Sequence, residues 1–159
     1  MWRPIADAAF GGRAVVGRGG LELEITESEE LDPEARQRLD DEWAAFNDQS
    51  AYEFDQQPFA LTARRAGEVV GLASGWTNRG AAYLGELMTV AGERGTGTGR
   101  HLLAAFEDLA RRRGCDRLSL WTTAQGGASG FYERHGWWRE FERPHWIDGT
   151  TAIHFRKDL

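Results

Sequence analysis

The first regular pattern along the chain is an alternation of apolar and acidic positions. Leu21, Leu23 and Ile25 alternate with glutamates, which predicts a half-buried strand. Asp32-Pro33 then supplies a helix N-cap and a proline at the first helical position. Apolar residues follow at helical spacing, so a first amphipathic helix is expected to run to about Phe46; the stripe is Leu31, Ala35, Leu39, Trp43 and Phe46.

Three strand-like runs and a second helix occupy the middle of the chain. The strands are separated by the turn signals Ala66-Gly67 and Asn78-Arg79-Gly80, and we expect them at Phe59–Arg64, Glu68–Trp76 and Ala81–Val90. The second helix begins near Thr98 and stops at Gly114, a residue that favours the left-handed helix exit. Its predicted apolar stripe consists of Leu102, Ala105, Phe106, Leu109 and Ala110.

The last third of the chain mixes both periodicities. A strand is predicted at Arg117–Thr122, a short helix near Gln125–Arg134, and two closing strands around the hairpin signal Asp148-Gly149. This order of elements indicates a mixed α/β fold. Residues 1–20 are crowded with glycine, so we expect a flexible leader with at best one edge strand around Arg13–Val16.

Composition narrows the class of protein. A chain of 159 residues fits one domain, here residues 21–159, and its net charge of −6 argues against nucleic acid as a partner. No apolar run is long enough to span a membrane and no signal peptide is evident, so a cytoplasmic location is expected. The single cysteine, Cys115, excludes an internal disulfide and is expected to be buried. The four histidines lack metal-ligand spacing, so no metal site is predicted.

The most informative local sequence lies between the strand ending at Val90 and the second helix. It reads Arg94-Gly95-Thr96-Gly97-Thr98-Gly99-Arg100. Alternate glycines let the backbone approach a ligand closely, and the helix start adds free N–H groups and the positive end of its dipole. These features indicate a diphosphate site. The spacing fits neither the dinucleotide fingerprint G-x-G-x-x-G nor the Walker loop ending in Gly-Lys-Ser/Thr, but it does fit R-x-x-G-x-G.

A second motif identifies the family that the chain resembles. The stretch Ala128-Ser129-Gly130-Phe131-Tyr132-Glu133-Arg134-His135-Gly136-Trp137 reads A-x-x-F-Y-E-x-x-G-W. The two motifs, in this order and at about this separation, resemble the acyl-CoA loop and the following segment of the GCN5-related N-acetyltransferases, the GNAT superfamily. The resemblance covers about Leu21 to Leu159. It implies an α/β fold with a GNAT-like mixed, twisted, mostly antiparallel sheet of about seven strands, flanked by helices and splayed between strands four and five.

The resemblance also implies acetyl-CoA as co-substrate, held where the strands splay, and a set of residues that bind it. A backbone N–H near Met88–Val90, on a bulge that is common in the family, would donate to the thioester oxygen. Arg94 is assigned to the pyrophosphate, whereas Arg100 is either a second pyrophosphate ligand or a surface cation. Gln125 stands where the family often has Asn. The implied cofactor-binding residues are Met88, Thr89, Val90, Arg94, Gly95, Thr96, Gly97, Thr98, Gly99, Arg100, Gln125 and Tyr132.

Two side chains are candidates for proton transfer. Acetylation of an amine needs a base for the ammonium proton and benefits from an acid at the leaving thiolate. The resemblance places Tyr132 beside the sulfur as the acid; the alternative is a core pair with Phe131. Glu86, on the strand that leads into the glycine loop, is the candidate base; the alternative is a solvated or ion-paired carboxylate. A register shift of one residue would reverse the face on which Glu86 points.

The predicted activity is N-acetylation of a primary amine by direct attack on the thioester. The alternative is a catalytically silent acyl-CoA-binding regulator with a GNAT fold. A cationic acceptor, small molecule or peptide, is expected because acidic residues surround the first helix: Glu27, Glu29, Glu30, Asp40, Asp41, Glu42, Glu53 and Asp55. Of the seven tryptophans, we expect most to pack in the core or hairpin and one or two to line an acceptor pocket. The hairpin at Asp148-Gly149 is a candidate for pairing across a homodimer.

Overall fold

The computed structural model of the chain describes residues 15–16, 22–23, 28, 30, 32–49 and 55–159. The chain divides into two compact units, Met1–Glu53 and Phe54–Leu159. Most of the predicted leader and of the strand at residues 21–25 lie outside the described residues. The division into a leader and a single domain therefore stays a prediction.

The first unit contains one short ladder and one helix. Strand β1 (Val15–Val16) pairs antiparallel with β2 (Glu22–Leu23). Helix α1 (Pro33–Gln49) begins as predicted, because the Asp32 carboxylate accepts hydrogen bonds from two backbone N–H groups of the first turn, at 2.8 and 3.0 Å. The helix continues past the predicted end at Phe46.

The second unit is built on a six-stranded sheet. The elements are β3 (Gln57–Arg65), β4 (Glu68–Asn78), β5 (Ala81–Thr89), α2 (Thr98–Arg112), β6 (Arg117–Thr123), α3 (Ala128–Arg134), β7 (Trp138–Arg143) and β8 (Ala152–Asp158). The strand order is β3-β4-β5-β6-β8-β7, with β5–β6 parallel and the other pairs antiparallel. The mixed, mostly antiparallel fold class is confirmed. The predicted count of about seven strands in this sheet is too high, because β2 pairs with β1 and not with the large sheet.

The sheet opens between β5 and β6, which are the fourth and fifth strands of the predicted order. Their pairing runs only from Ala81↔Arg117 to Leu84↔Leu120, although both strands continue beyond it. Directly after Leu84, β5 contains one extra residue, Gly85, because Ser74 pairs with Glu86 and Gly75 with Leu84. Such a bulge bends a strand and ends its regular pairing. The predicted splay is therefore confirmed.

Helices α2 and α3 pack on one face of the sheet. The Phe106 ring of α2 stacks on Phe59 at 5.2 Å and on Trp137, which follows α3, at 6.4 Å. Leu103, which the predicted apolar stripe of α2 omitted, is buried, whereas Ala105, which it included, is exposed. The predicted stripe was therefore wrong at these two positions. We call the opposite face the outer face; it carries Trp76, Tyr83, Trp121, Phe141 and His154.

The start of α2 lies unusually close to the sheet. A Cβ at Gly71 of β4 would come within 2.9 Å of the Met88 carbonyl oxygen and 3.0 Å of Leu102 Cδ1. Glycine is therefore required at this position for the helix to approach. The contact places the first turn of α2 beside the free end of β5.

Burial of Cys115, the only cysteine, is confirmed. Its side chain is 4% exposed and its thiol donates to the Ala81 carbonyl oxygen at 3.3 Å. Burial raises the pKa of this thiol, which makes it a poor nucleophile. None of the described helices is long and apolar enough to cross a membrane. Within the described ranges, no three His, Cys, Asp or Glu side chains are grouped so as to hold a metal ion.

Candidate active site

A cleft of about 780 Å³ lies beside the free end of β5, between the glycine loop and α3. We call it the cleft throughout. The structure brings most of the predicted cofactor residues together here: Met88, Thr89, Arg94, Gly95, Gly97, Gly99, Arg100 and Tyr132. The predicted residues Val90, Thr96, Thr98 and Gln125 are not part of its lining.

Backbone N–H groups at the start of α2 are available to an anion. The first bond of the helix runs from the His101 N–H to the Gly97 carbonyl at 3.1 Å. The N–H groups of the preceding helical residues therefore have no acceptor within the helix. Gly95 and Gly97 have φ values of 81° and 92°, a region that suits glycine. This geometry, with the positive end of the helix dipole, favours a phosphate group.

Glu93 holds the glycine loop in shape from within. Its carboxylate accepts two hydrogen bonds from Arg65, at 3.0 and 3.1 Å, and one each from the hydroxyls of Thr96 and Thr98, at 2.9 and 3.2 Å. The Arg65 hydrogen bond, followed by that of Thr96, lowers the pKa of Glu93. Both threonine hydroxyls are directed to Glu93 and the Thr96 N–H donates to the Glu93 carbonyl at 3.3 Å, so of these donors only the Thr98 N–H remains for an anion. The sequence did not indicate Glu93, whose partner is 28 residues away.

Three arginines give the cleft a positive charge in an acidic chain. Arg94, Arg100 and Arg134 line it, and none has an ion-pair partner among the described residues. Glu93, which also lines the cleft, is neutralised by Arg65. The sequence reasoning missed Arg134 and His135, although they follow Phe131 at the spacing that puts residues on one helix face.

Tyr132 packs in the core and also borders the cleft. Its ring packs against Trp137 and Phe155, with ring centroids 6.0 and 5.7 Å away, and its side chain is only 8% exposed. The same residue lines the cleft. Burial raises the pKa of Tyr132 to about 12. The phenol is therefore protonated at neutral pH and can act as a proton donor.

Glu86 lies on the outer face. Its partner on β4 is Ser74, whose hydroxyl donates to the Glu86 carboxylate at 2.7 Å, while the neighbouring Ala73 is in the core. The bulge at Gly85 decides this orientation, because with regular alternation through residues 83–86 the side chains of Tyr83 and Glu86 would point to opposite faces. Glu86 is exposed and is not part of the cleft lining. Tyr132 and Glu86 therefore lie on opposite faces of the sheet beside the splay. No ion pair to Glu86 is present among the described residues.

The backbone of β5 offers fewer free donors than predicted. The Val90 N–H donates to the Val70 carbonyl at 3.0 Å, so it belongs to the ladder with β4. Since N–H directions alternate along a strand, the N–H groups of Leu87 and Thr89 are directed toward the gap beside β6. The bulge itself is at Gly85 and not near Met88–Val90, because the register slips opposite Ser74 and Gly75. Of the backbone donors predicted for the thioester oxygen, the Thr89 N–H therefore stays available and the Val90 N–H does not; the role itself stays a prediction.

Gln125 is not brought to the cleft. Its side-chain oxygen accepts a hydrogen bond from the Thr151 N–H at 3.4 Å, next to the start of β8. Helix α3 begins at Ala128 and not at the predicted Gln125, because Gly126 and Gly127 have φ values of 105° and 77°. A role for Gln125 in cofactor binding stays a prediction without support from this geometry.

A second recess, of about 430 Å³, lies on the outer face, and we call it the aromatic pocket. Its walls are Tyr83, Trp121, Thr122, Thr123, Arg143, Trp146 and Ala152. The Arg143 guanidinium lies 4.2 Å from the centre of the Trp146 ring. Of the described tryptophans only Trp137 is buried in the core, while Trp121 and Trp146 are 41% and 47% exposed. Trp138 and Trp146 lie in the β7–β8 hairpin, where they pack against Arg156 and Arg143.

Comparison with known proteins agrees with this architecture. The family model of the acetyltransferase (GNAT) family matches residues 21–137. Acetyltransferase Atu2258 of Agrobacterium fabrum is 34% identical over 110 residues, which cover 69% of this chain and 80% of that protein. A solved structure from Agrobacterium tumefaciens, assigned as an acetyltransferase, has a TM-score of 0.74 at 28% identity and covers 86% of this chain and 100% of its own.

A more distant structure adds a bound ligand. The PaiA N-acetyltransferase of Thermoplasma acidophilum, solved in complex with coenzyme A, has a TM-score of 0.56 at 16% identity, and the match covers 79% of this chain and 72% of that one. At this identity the likeness concerns the fold. The family match spans well over half of the chain and includes both the glycine loop and the Phe131-Tyr132 segment. The chain therefore belongs to the GNAT family and is an acetyltransferase.

Proposed function

We propose that this acetyltransferase transfers the acetyl group of acetyl-CoA directly to a primary amine. The observation that carries the proposal is the cleft, in which unpartnered backbone N–H groups and three free arginines face a buried, protonated tyrosine. The likeness to a GNAT fold solved with coenzyme A supports the choice of cofactor.

The cleft fits the charged part of coenzyme A. The backbone N–H groups of Thr98, Gly99 and Arg100 would bind the diphosphate, assisted by Arg94 and Arg100. Arg134, on the opposite wall, would add a further phosphate contact. A polyanion is the natural occupant of a cationic recess in a chain with a net charge of −6.

Acetyl-CoA supplies the acetyl thioester. Transfer forms a carbon–nitrogen bond on the neutral amine and breaks the carbon–sulfur bond; the attacking nitrogen loses one proton and the sulfur gains one. An ammonium acceptor must lose one further proton before it attacks. Tyr132, a phenol that is protonated at neutral pH, would donate the proton to sulfur. An alkylammonium group has a pKa near 10.4, so the acceptor needs a base. Glu86, oriented by Ser74, would take that proton directly or through a water.

The proposal includes a positively charged acceptor. The acidic residues of α1 contribute little to its attraction. Asp40 and Glu42 are paired on the helix with Arg36 and Arg38, at 4.0 and 3.7 Å, which reduces their attraction for a cation. Glu27, Glu29 and Glu53 lie outside the described residues. The predicted homodimer and cytoplasmic location likewise stay predictions.

One pair of measurements separates the enzyme from the silent regulator. Calorimetry with acetyl-CoA tests binding, and release of free thiol in the presence of a panel of polyamines, aminoglycosides, arylalkylamines, amino acids and basic peptides tests turnover. The proposal expects binding and amine-dependent thiol release. Binding without thiol release from any amine would favour the regulator. Failure to bind acetyl-CoA would overturn both.

A further inference from the structure

We propose that the aromatic pocket is the acceptor subsite and that it takes a primary amine carrying both a planar ring and a carboxylate, as in an aromatic amino acid. The inference rests on the proposed function and refines its substrate class. It adds a negative group to the acceptor, which the sequence did not predict. The ammonium group keeps a positive charge at the reacting end, but the acceptor as a whole is then a neutral zwitterion, in place of the cation that the sequence predicted.

The walls of the pocket suit a flat ring. Three of its lining side chains are aromatic: Tyr83, Trp121 and Trp146. Trp121 is fixed from behind by edge contacts with Phe141 and His154, at centroid distances of 5.1 and 5.0 Å. Aromatic pairs held in this way bind a further ring by stacking or edge contact. A rigid wall also loses little side-chain entropy when a ligand binds.

The charge of the pocket selects the second group. Arg143 is the only ionisable residue apart from Tyr83 among the described residues that line it. Its guanidinium is held against Trp146 and has no ion-pair partner in the described part of the chain. A carboxylate matches the planar fork of an arginine, whereas a second cation would be repelled. Burial raises the pKa of Tyr83, which leaves its phenol neutral and able to donate a hydrogen bond.

The pocket lies beside the predicted point of reaction. Tyr83 belongs to the last paired stretch of β5, and Trp121 follows the last paired residue of β6, so the pocket borders the splay. The bulge at Gly85 puts Glu86 on the same face as Tyr83. A ligand with its ring in the pocket can therefore extend its amine toward the gap and the candidate base. The cleft reaches the same gap from the other face.

The experiment compares amines that differ only in the carboxylate. Phenylalanine and phenethylamine, and tryptophan and tryptamine, are titrated by calorimetry into the protein loaded with coenzyme A, and the kcat/KM of each is measured by thiol release. A hydrogen bond between charged groups changes the affinity by roughly 10- to 100-fold. The carboxylated member of each pair should therefore bind more tightly by that factor. R143Q should collapse the ratio within each pair toward one, and R143K should restore it in part. R112Q, an exposed arginine at the end of α2, is the matched control and should keep the wild-type ratio.

The outcomes distinguish this inference from the proposed function. Turnover of amines with no preference for the carboxylated member, or a preference that R143Q leaves intact, would overturn the subsite and leave the acetyltransfer standing. Carboxylate-dependent binding without turnover of any amine would retain the subsite and overturn the transfer. Folding of each variant is checked by its acetyl-CoA affinity, which depends on the cleft and not on the pocket.

Discussion

The cleft and the aromatic pocket are two recesses of one sheet that are built by opposite means. The cleft is formed by backbone, with glycines that expose N–H groups, and by arginines around them. The aromatic pocket is formed by large side chains fixed against one another, with a single arginine. In the proposed function, backbone donors would recognise a phosphate group that every acyl-CoA shares, whereas the side chains of the pocket would define the shape of one particular acceptor. Recognition of the shared cofactor and recognition of the particular acceptor would thus lie on opposite faces of the sheet.

The proposed proton transfers follow the same division. Tyr132 is on the side of the cleft and its environment is dry, as its 8% exposure shows. Glu86 is on the outer face, exposed, and oriented by a single hydroxyl. A donor that must stay protonated benefits from burial, while a base that passes a proton to water benefits from access to it.

Tyr132→Phe is the change expected to have the largest effect, because it breaks the chemistry and leaves both recesses intact. The ring packing is preserved and only the proton donor is lost. General acid catalysis contributes roughly 10²- to 10⁴-fold, so kcat should fall by that factor with little change in the KM for acetyl-CoA. Steady-state kinetics with the best amine measures it. A decrease of less than about threefold would mean that water or another residue is the acid.

Glu86→Gln tests the outer face in the same way. Removal of the base should lower kcat/KM by roughly 10²-fold, the low end for acid–base catalysis, because solvent water has access to this site. The pH profile should also lose the limb that Glu86 causes, while the acetyl-CoA affinity stays unchanged. Glu68→Gln, a second exposed strand carboxylate, is the control. A wild-type pH profile in Glu86→Gln would assign the base elsewhere.

Gly97→Val tests whether the glycine loop of the cleft binds the diphosphate. The residue has a φ of 92°, and a branched side chain there is strained and blocks the approach of a diphosphate. The affinity for acetyl-CoA should fall by roughly 10- to 100-fold, equivalent to one or two charge-assisted hydrogen bonds. Gly92→Val is the matched control, since a Cβ at Gly92 meets nothing within 4 Å. Equal affinities of the two variants in calorimetry would exclude the loop as the diphosphate site.

The smallest predicted effect is a pH dependence of stability. Burial raises the pKa of Tyr132 from 10.0 to about 12, so the folded chain holds this proton more tightly than the unfolded chain does. The resulting stabilisation is complete below pH 10 and is lost as the pH rises through about 12. Relative to Tyr132→Phe, the wild type should lose about 1.4 kcal/mol of unfolding free energy for each unit of pKa difference. Urea unfolding near pH 9 and near pH 11.5 compares the two proteins, and parallel curves would contradict the burial of the phenol.

The features that the sequence predicted correctly depend on local signals. Helix α2 begins at Thr98, directly after Gly97, and ends at Arg112, two residues before Gly114; both glycines are visible in the sequence. The turns at Ala66-Gly67 and Asn78-Arg79-Gly80 separate strands that pair as neighbours. Arg94 and Arg100 line the cleft because they directly flank the glycine loop in the sequence.

The features that the sequence did not predict depend on contacts between distant residues. The bulge at Gly85 is defined by its register with β4, and Glu93 owes its position to Arg65 on β3. The choice of Leu103 over Ala105 depends on how α2 is rotated against the sheet. Trp121 is exposed because it points to the outer face of β6, and Trp146 because it lies in the loop before β8. Periodicity alone predicts neither the face of the sheet that is covered nor the path of that loop.

The network around Glu93 determines how the glycine loop meets its ligand. A loop tied to β3 by Arg65 and closed by two threonine hydroxyls is already ordered before any phosphate arrives. Binding of a phosphate group to this loop then requires little rearrangement. The conformational entropy that is normally lost when such a loop becomes ordered on binding has already been lost during folding. Calorimetry of Arg65→Ala, in which the α2 N–H groups are intact, would register this preorganisation as a weaker affinity whose change lies in the binding entropy.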